Sequence, residues 1–216
     1  MNVLRNERGH GMVYLLWIMV MSIAIFVIVI NIGKVYIVKQ QAATATQQAA
    51  LAGTSVLLEA TLRGVQNFDN YPNTEDTDWE CQRIIGGKSM EALLDEKAAE
   101  FKRSGQAKDI AYVNALNAVL QPKISECDLL RALISLEINA SRSAFTDTIK
   151  QVLMANDGNL ERSTVTLTVP NYRVEVIADV TYKSITDSAQ SYMPDFIKDI
   201  PQKGYGPSMT YLDGVY

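Results

Sequence analysis

From Gly9 to Gly33 the chain carries no charged residue, and Met12 to Ile32 within that run reads MVYLLWIMVMSIAIFVIVINI. As a helix this stretch would be roughly 31 Å long, the thickness of a bilayer's hydrocarbon core. Thirteen of its residues are Leu, Ile, Phe or Val, each favouring insertion by about 0.3 to 0.6 kcal/mol at mid-membrane. Tyr14 and Trp17 stand near one end and Tyr36 near the other, where amphipathic rings settle at membrane interfaces. The run therefore predicts a membrane span. A cleaved secretory signal fits less well. Signal cores are shorter, and the small-residue triplets Ala43-Thr44-Ala45 and Ala50-Leu51-Ala52 lie well past the apolar run, with Lys34 and Lys39 between.

That run divides the 216 residues into one anchor and one modest domain. Residues 1–11 read as a short tail, 12–32 as the transmembrane helix, 33–66 as a membrane-proximal helix and 67–216 as the domain on the far side of the membrane from the tail. Beyond the anchor 18 basic and 23 acidic residues leave a net charge of −5, and a mildly acidic domain has no electrostatic footprint for nucleic acid. Charges flanking the span do not set its direction, since Arg5 and Arg8 stand against Lys34 and Lys39.

No proline precedes Pro72, so one helical rod should continue from the span to about Arg63. Along it Val35, Val38, Ala42, Ala45, Ala49, Ala52 and Val56 recur by threes and fours, and Gly53 extends the strip of small residues. Such a seam admits close helix approach. We read it as an assembly surface for other chains, with Gln47 and Thr54 on the opposite face; the alternative is packing on the chain's own domain.

Asn67 to Glu80 reads as a loop. As a calcium loop starting at Asp69 it fails, with Tyr71 and Thr74 at positions that require a ligand and glycine, and Asp76, Asp78 and Glu80 read as solvated. Ser89 should cap a helix to about Arg103, followed by helices over Lys108 to Leu120 and Asp128 to Met154. Their residues Leu93, Leu94, Phe101, Ile110, Val113, Leu116, Leu129, Leu133 and Leu136 read as core. After the turn signal Asn156-Asp157-Gly158-Asn159 the pattern alternates. It predicts strands over Thr164 to Val169 and Tyr172 to Tyr182, with Val165, Leu167 and Val169 on one face and Val174, Val176, Ala178 and Val180 likewise. The fold class is α+β: a transmembrane helix continuing into a long helix, a helical region, and a C-terminal antiparallel hairpin or sheet. Met193 to Tyr216, rich in Gly and Pro, reads as an irregular tail.

Chemistry is hard to place on these residues. The only histidine, His10, lies at the membrane boundary, so a Ser-His or Cys-His nucleophile has no base. Gly86-Gly87-Lys88 lacks the leading glycine of a phosphate-binding loop and reads as a turn before a helix. Carboxylate pairs such as Asp95/Glu96 and Asp195/Asp199 are ordinary on exposed helices. No catalytic, metal or cofactor site and no small-molecule substrate is expected. Cys81 and Cys127, both beyond the anchor, have no metal-binding spacing; they read as a disulfide, with two separate buried thiols the alternative.

Arg8-Gly9 leading into the apolar helix, then Gly33, Tyr36, Lys39 and the closing Ala49-Ala50-Leu51-Ala52-Gly53, resemble the N-terminal region of TadE/TadG-like proteins of the tight-adherence (Flp-type) pilus assembly system. The resemblance covers under a quarter of the chain. It implies a pilus-assembly role without catalysis, the N-terminus in the cytoplasm, the domain outside, and other pilin-like or pilus-assembly proteins, including copies of itself, as partners. Gly9 and Gly11 are the candidate points for leader processing, yet Tyr14 and Leu16 occupy the fifth positions after them, where processed pilin leaders carry Glu. Asn31 and Gln47 stand where the family often has Asp, and the DxSxS site of larger TadG-like members is absent. Two other readings compete. An extracytoplasmic sensor or ligand-binding subunit would be favoured by a neighbouring kinase gene, and a membrane-tethered enzyme would need a site that the residues do not supply.

Overall fold

The computed structural model describes residues 8–72, 81, 86–181 and 199–216. A single helix, α1 (Arg8–Asp69), runs unbroken for 62 residues, about 93 Å at helical rise. It holds two different surroundings. Over Met12–Ile28 its side chains are exposed on every side, and this is the only helix among the described residues long and apolar enough to cross a membrane. From Ala42 onward one face is buried and becomes the spine of a domain.

The remaining helices are α2 (Met90–Arg103), α3 (Lys108–Glu126), α4 (Asp128–Ala140) and α5 (Arg142–Ala155). Gly86 and Gly87 adopt φ of +62° and +75°, a left-handed turn that glycine makes without strain, and deliver the chain to Ser89. There the Ser89 hydroxyl accepts from the Ala92 N–H at 3.1 Å, capping α2 as its sequence predicts. A second cap comes from the far end of α1: the Asp69 carboxylate accepts from the Met90 and Glu91 N–H groups at 2.7 and 3.0 Å. The last turn of α1 and the first of α2 are thus fastened across the intervening residues. Helix α3 continues through Pro122 to Glu126, farther than its sequence suggests, because Ile124 in that extra turn is completely buried. The stretch expected as one helix from Asp128 is two, parted at Ser141.

Three antiparallel strands, β1 (Thr164–Thr168), β2 (Arg173–Thr181) and β3 (Asp199–Tyr205), form a sheet in that order. Val165 lies opposite Val176 and Leu167 opposite Val174, while Val176 also faces Gly204. One sheet face therefore presents Val174, Val176 and Ala178 to the core. Helix α1 packs on this face and on α4 and α5, whereas α2, α3 and the 3-10 helix Thr210–Gly214 close the far end.

Several expectations need correction. Val169 does not join the inner face; β1 stops at Thr168, the Val169–Pro170 bond is cis and Val169 is 72% exposed. Ile110 and Leu136 are exposed as well, each on the solvent side of an amphipathic helix whose buried stripe lies elsewhere. The described part of the supposed tail is ordered and contributes to the core. Asp199–Tyr205 is the third strand, and Met209, Tyr211 and Leu212 are fully buried; their Gly-rich neighbours hid the pattern. Helix α1 also continues through Asn67 to Asp69. Asp76, Asp78 and Glu80, Tyr182 and the segment Met193–Lys198 lie outside the described residues.

Tyr211 shows how polar groups are accommodated in this core. Its hydroxyl hydrogen-bonds with Thr61 Oγ1 at 2.9 Å, and burial drives the phenol's pKa far above its ordinary value. Burial likewise pushes Tyr112 up to about 12, with help from Asp95 and Glu91. Both rings stay neutral at physiological pH.

The tightest approach between sheet and spine is at Gly204, where a Cβ would overlap the Thr46 main chain. Gly204→Ala should therefore lower stability by about 2 kcal/mol or more, since backbone, not a flexible side chain, blocks the methyl. Gly33→Ala, which meets nothing within 4 Å, should leave thermal unfolding of the detergent-solubilised chain unchanged. Equal melting temperatures for both variants would disprove this packing.

A candidate assembly surface on the long helix

Among the described residues no group of three or more His, Cys, Asp or Glu is placed to hold a metal ion. The site to consider is therefore the surface of α1. The seam read from the sequence is only partly where an assembly surface would have to be. Ala42, Ala45, Ala49 and Gly53 are buried within the chain itself. A Cβ at Gly53 would come 2.7 Å from Ile149 Cδ1 and 3.0 Å from Phe145, so α5 occupies the groove that a partner helix would need. Val38, Ala52 and Val56 are half-buried, and Val35 is 39% exposed. The seam is thus a real close-packing strip, but over Ala42–Gly53 the chain's own sheet and helix cover it. That corrects its reading as an intermolecular surface.

The face taken as its opposite is also engaged. Thr54 is buried, its hydroxyl donating to the Ala50 carbonyl at 2.8 Å. Gln47 holds the end of β3 at two points: its Nε2 donates to the Tyr205 carbonyl at 2.9 Å, and its Oε1 accepts from the Tyr205 N–H at 3.2 Å. Farther along, Arg63 donates from Nε to Glu137 at 3.1 Å and from Nη2 to Ser141 Oγ at 2.7 Å, while Asn67 Nδ2 donates to Glu137 Oε1 at 3.0 Å. This cluster latches α1 to α4 and the start of α5.

The part of the rod left open is a different stripe, through Thr44, Gln48, Leu51 and Ser55. It lies in a stretch, Gln40 to Leu58, without a single charge. The sequence carries that signal, but hydropathy alone does not separate this face from the seam beside it. Gly11, one of the two glycines considered for leader processing, has open space around it; Gly9 lies in the first turn of α1.

The sulfurs of Cys81 and Cys127 are 2.07 Å apart, a disulfide across a sequence separation of 46. Cys127 also caps α4, its sulfur accepting from the Leu130 N–H at 3.4 Å. The bridge joins the segment after α1 to the junction of α3 and α4.

A helix apolar and bare toward its N-terminal end and clothed by an α+β domain at the other fits a single-pass membrane anchor. Residues 11–56 match a family model described as putative Flp pilus-assembly TadE/G-like. The N-terminal region of this chain is similar to that family, and the match ends at Val56, inside α1. No curated protein and no solved structure matches the chain.

Two outcomes follow from this packing. Ala49→Leu should destabilise the fold by about 1 to 3 kcal/mol, the usual cost of overfilling a core, whereas Ser55→Leu on the open stripe should be close to neutral; denaturant unfolding of the solubilised chain separates them. For the disulfide, non-reduced and denatured protein should bind no thiol-reactive label. Reduction should cost roughly 4 kcal/mol by loop-entropy arithmetic, and two labelled thiols per chain in exported protein would rule the bridge out.

Proposed function

We propose that the chain is a structural component of a bacterial Flp-type pilus or a related secretion apparatus, working by helix packing and protein contacts without catalysing a reaction. In this reading residues 1–11 are a cytoplasmic tail, 12–32 span the cytoplasmic membrane once, and the domain clothing the rest of α1 lies outside. Its partners are other pilin-like or pilus-assembly proteins, including copies of itself. One observation carries the proposal: the residues that match the TadE/G-like family, 11–56, are the part of α1 that leads from the bare apolar segment into the domain. An anchor attached through a flexible linker would leave the domain free to tumble. Here an unbroken helix transmits the position and orientation of one to the other, as a subunit in an ordered assembly requires. The uncharged outer stripe is suited to contact with a neighbour because docking there desolvates no ion.

Protease added to intact cells with a permeable outer layer should remove a C-terminal tag while a cytoplasmic marker survives. A strain lacking the chain should lose its surface filaments and regain them with the wild-type protein. A protected tag defeats the topology; undiminished filaments in the deleted strain defeat the pilus role.

A further inference from the structure

Beyond the apolar segment the outer ridge of α1 keeps one spacing. Ile37, Gln41, Thr44, Gln48, Leu51 and Ser55 follow one another by alternating fours and threes, the step of a heptad seam. Ile37 and Leu51 are large and apolar yet 64% and 47% exposed, and the domain that buries Ala42, Ala45 and Ala49 leaves Thr44, Gln48 and Ser55 open beside them. We propose that this ridge packs against the same ridge of a second copy of the chain, as a parallel, in-register, two-stranded coil. The inference rests on the readings that residues 12–32 span a membrane and that the chain works by helix packing; it names the neighbour and its geometry.

The membrane fixes both direction and height. Two copies inserted through the same span stand parallel at equal depth, so each ridge position meets its own counterpart. Ile37, Thr44 and Leu51 then occupy the d layers, and Gln41, Gln48 and Ser55 the a layers. Apolar side chains face apolar ones at Ile37 and Leu51. At Gln41 and Gln48 each amide is both donor and acceptor, so two identical amides at one level satisfy each other. No charge occurs between Gln40 and Leu58, so no like charges are brought together in these layers. A two-fold axis along the rods makes the surface complementary to itself.

The shape of the ridge agrees. Where α1 enters the domain, an open concavity of about 360 Å³ is lined by Ile37, Gln40, Gln41 and Thr44, together with Tyr36 and Asn156. The first four stand at i, i+3, i+4 and i+7, the four-residue hole that receives one knob of a facing helix. In a parallel, in-register pair the knob for this hole is the a-layer residue at the same level, the second copy's Gln41. Gln41 is already oriented within its own chain: its Nε2 donates to Asp157 Oδ2 at 3.0 Å, and the amide keeps a second hydrogen and its carbonyl oxygen for the amide across the axis.

The test uses the full chain with its native disulfide intact, reconstituted in phosphatidylcholine vesicles, with one added cysteine per variant and a mild oxidant. Helix axes about 9 Å apart put same-numbered d positions roughly 6 Å apart at Cα and outer f positions roughly 13 Å apart, while a disulfide needs less than about 7 Å. Thr44→Cys and Leu51→Cys should therefore form covalent dimers about tenfold faster than Lys39→Cys, an exposed f position at the same end of the ridge. Leu51→Glu, which sets two carboxylates in one layer, should slow dimer formation at Thr44→Cys by about tenfold, with an unchanged denaturant midpoint because Leu51 lies outside the core. Equal rates at positions 39, 44 and 51, or an undiminished rate in Leu51→Glu, would overturn the pairing. Capture of a different protein at position 44 in cells, in place of a second copy, would overturn it too. Extraction of the same vesicles with alkaline carbonate keeps the readings apart. Chain released from the vesicles fails as a membrane span, whereas chain retained without fast dimers at 44 and 51 fails only as this pair, since the filaments of the deletion strain are scored independently.

Discussion

Burial of one face of α1 beneath β3, β2, α4 and α5 is the interaction on which the rest of the structure depends. It requires main chains to come closer than ordinary side chains permit, and the close contacts fall at glycines on both sides. Gly204 and Gly206 bring the end of the sheet against Thr46 and Thr54, while Gly53 and Gly64 admit Ile149 and Ile134. At Gly64 a Cβ would stand 2.7 Å from the Ile134 Cα. Backbones that near one another gain dispersion contacts along their length. The arrangement tolerates little change, because no rotamer adjustment relieves a clash with main chain.

A helix so rich in Thr and Gln can be buried only if its polar atoms are satisfied. Thr46, Thr54 and Thr61 lie on the buried face, and each hydroxyl donates to the carbonyl one turn earlier, at 3.0, 2.8 and 2.9 Å. None of these hydroxyls is stranded. Thr61 bonds Tyr211 in addition, so the last residues of the chain are tied to the middle of α1. Asp69 capping α2 and the Arg63–Glu137 pair at 3.1 Å extend that control to the helical end of the domain. One rod thus sets the positions of elements that are far apart in sequence.

These features were unequally legible. The apolar run, the Ser89 cap and the alternation of Val174, Val176 and Ala178 are local signals, and each marks its element correctly. The seam shows the limit of such reasoning: periodicity marks Ala42, Ala45 and Ala49 as a close-packed face without saying which surface covers it. The missing information lay in Gly204 and Ile149, both more than 90 residues away in sequence, and in a third strand whose composition of Asp, Pro, Gln, Lys and Gly resembles a loop. That strand forms because β2 supplies its hydrogen bonds and Gln47 fixes its end, two tertiary effects that override propensity. Ile110 and Leu136 mislead for the opposite reason. Apolar type alone does not place a residue on the buried side of a helix.

Once the seam is filled from within, the remaining open face of α1 acquires a different meaning. Exposed faces of soluble helices usually carry charges that hold water and prevent association. From Gln40 to Leu58 this helix carries none, although the chain beyond the anchor is acidic overall. Along Thr44, Gln48, Leu51 and Ser55 two copies could meet without desolvating a charge. The sequence has therefore separated two tasks on one rod: small residues pack the chain's own domain against its inner side, and uncharged polar residues leave the outer side able to touch a neighbour. That division gives a reason for a second charge-free stretch, Gln40 to Leu58, beyond Lys34 and Lys39.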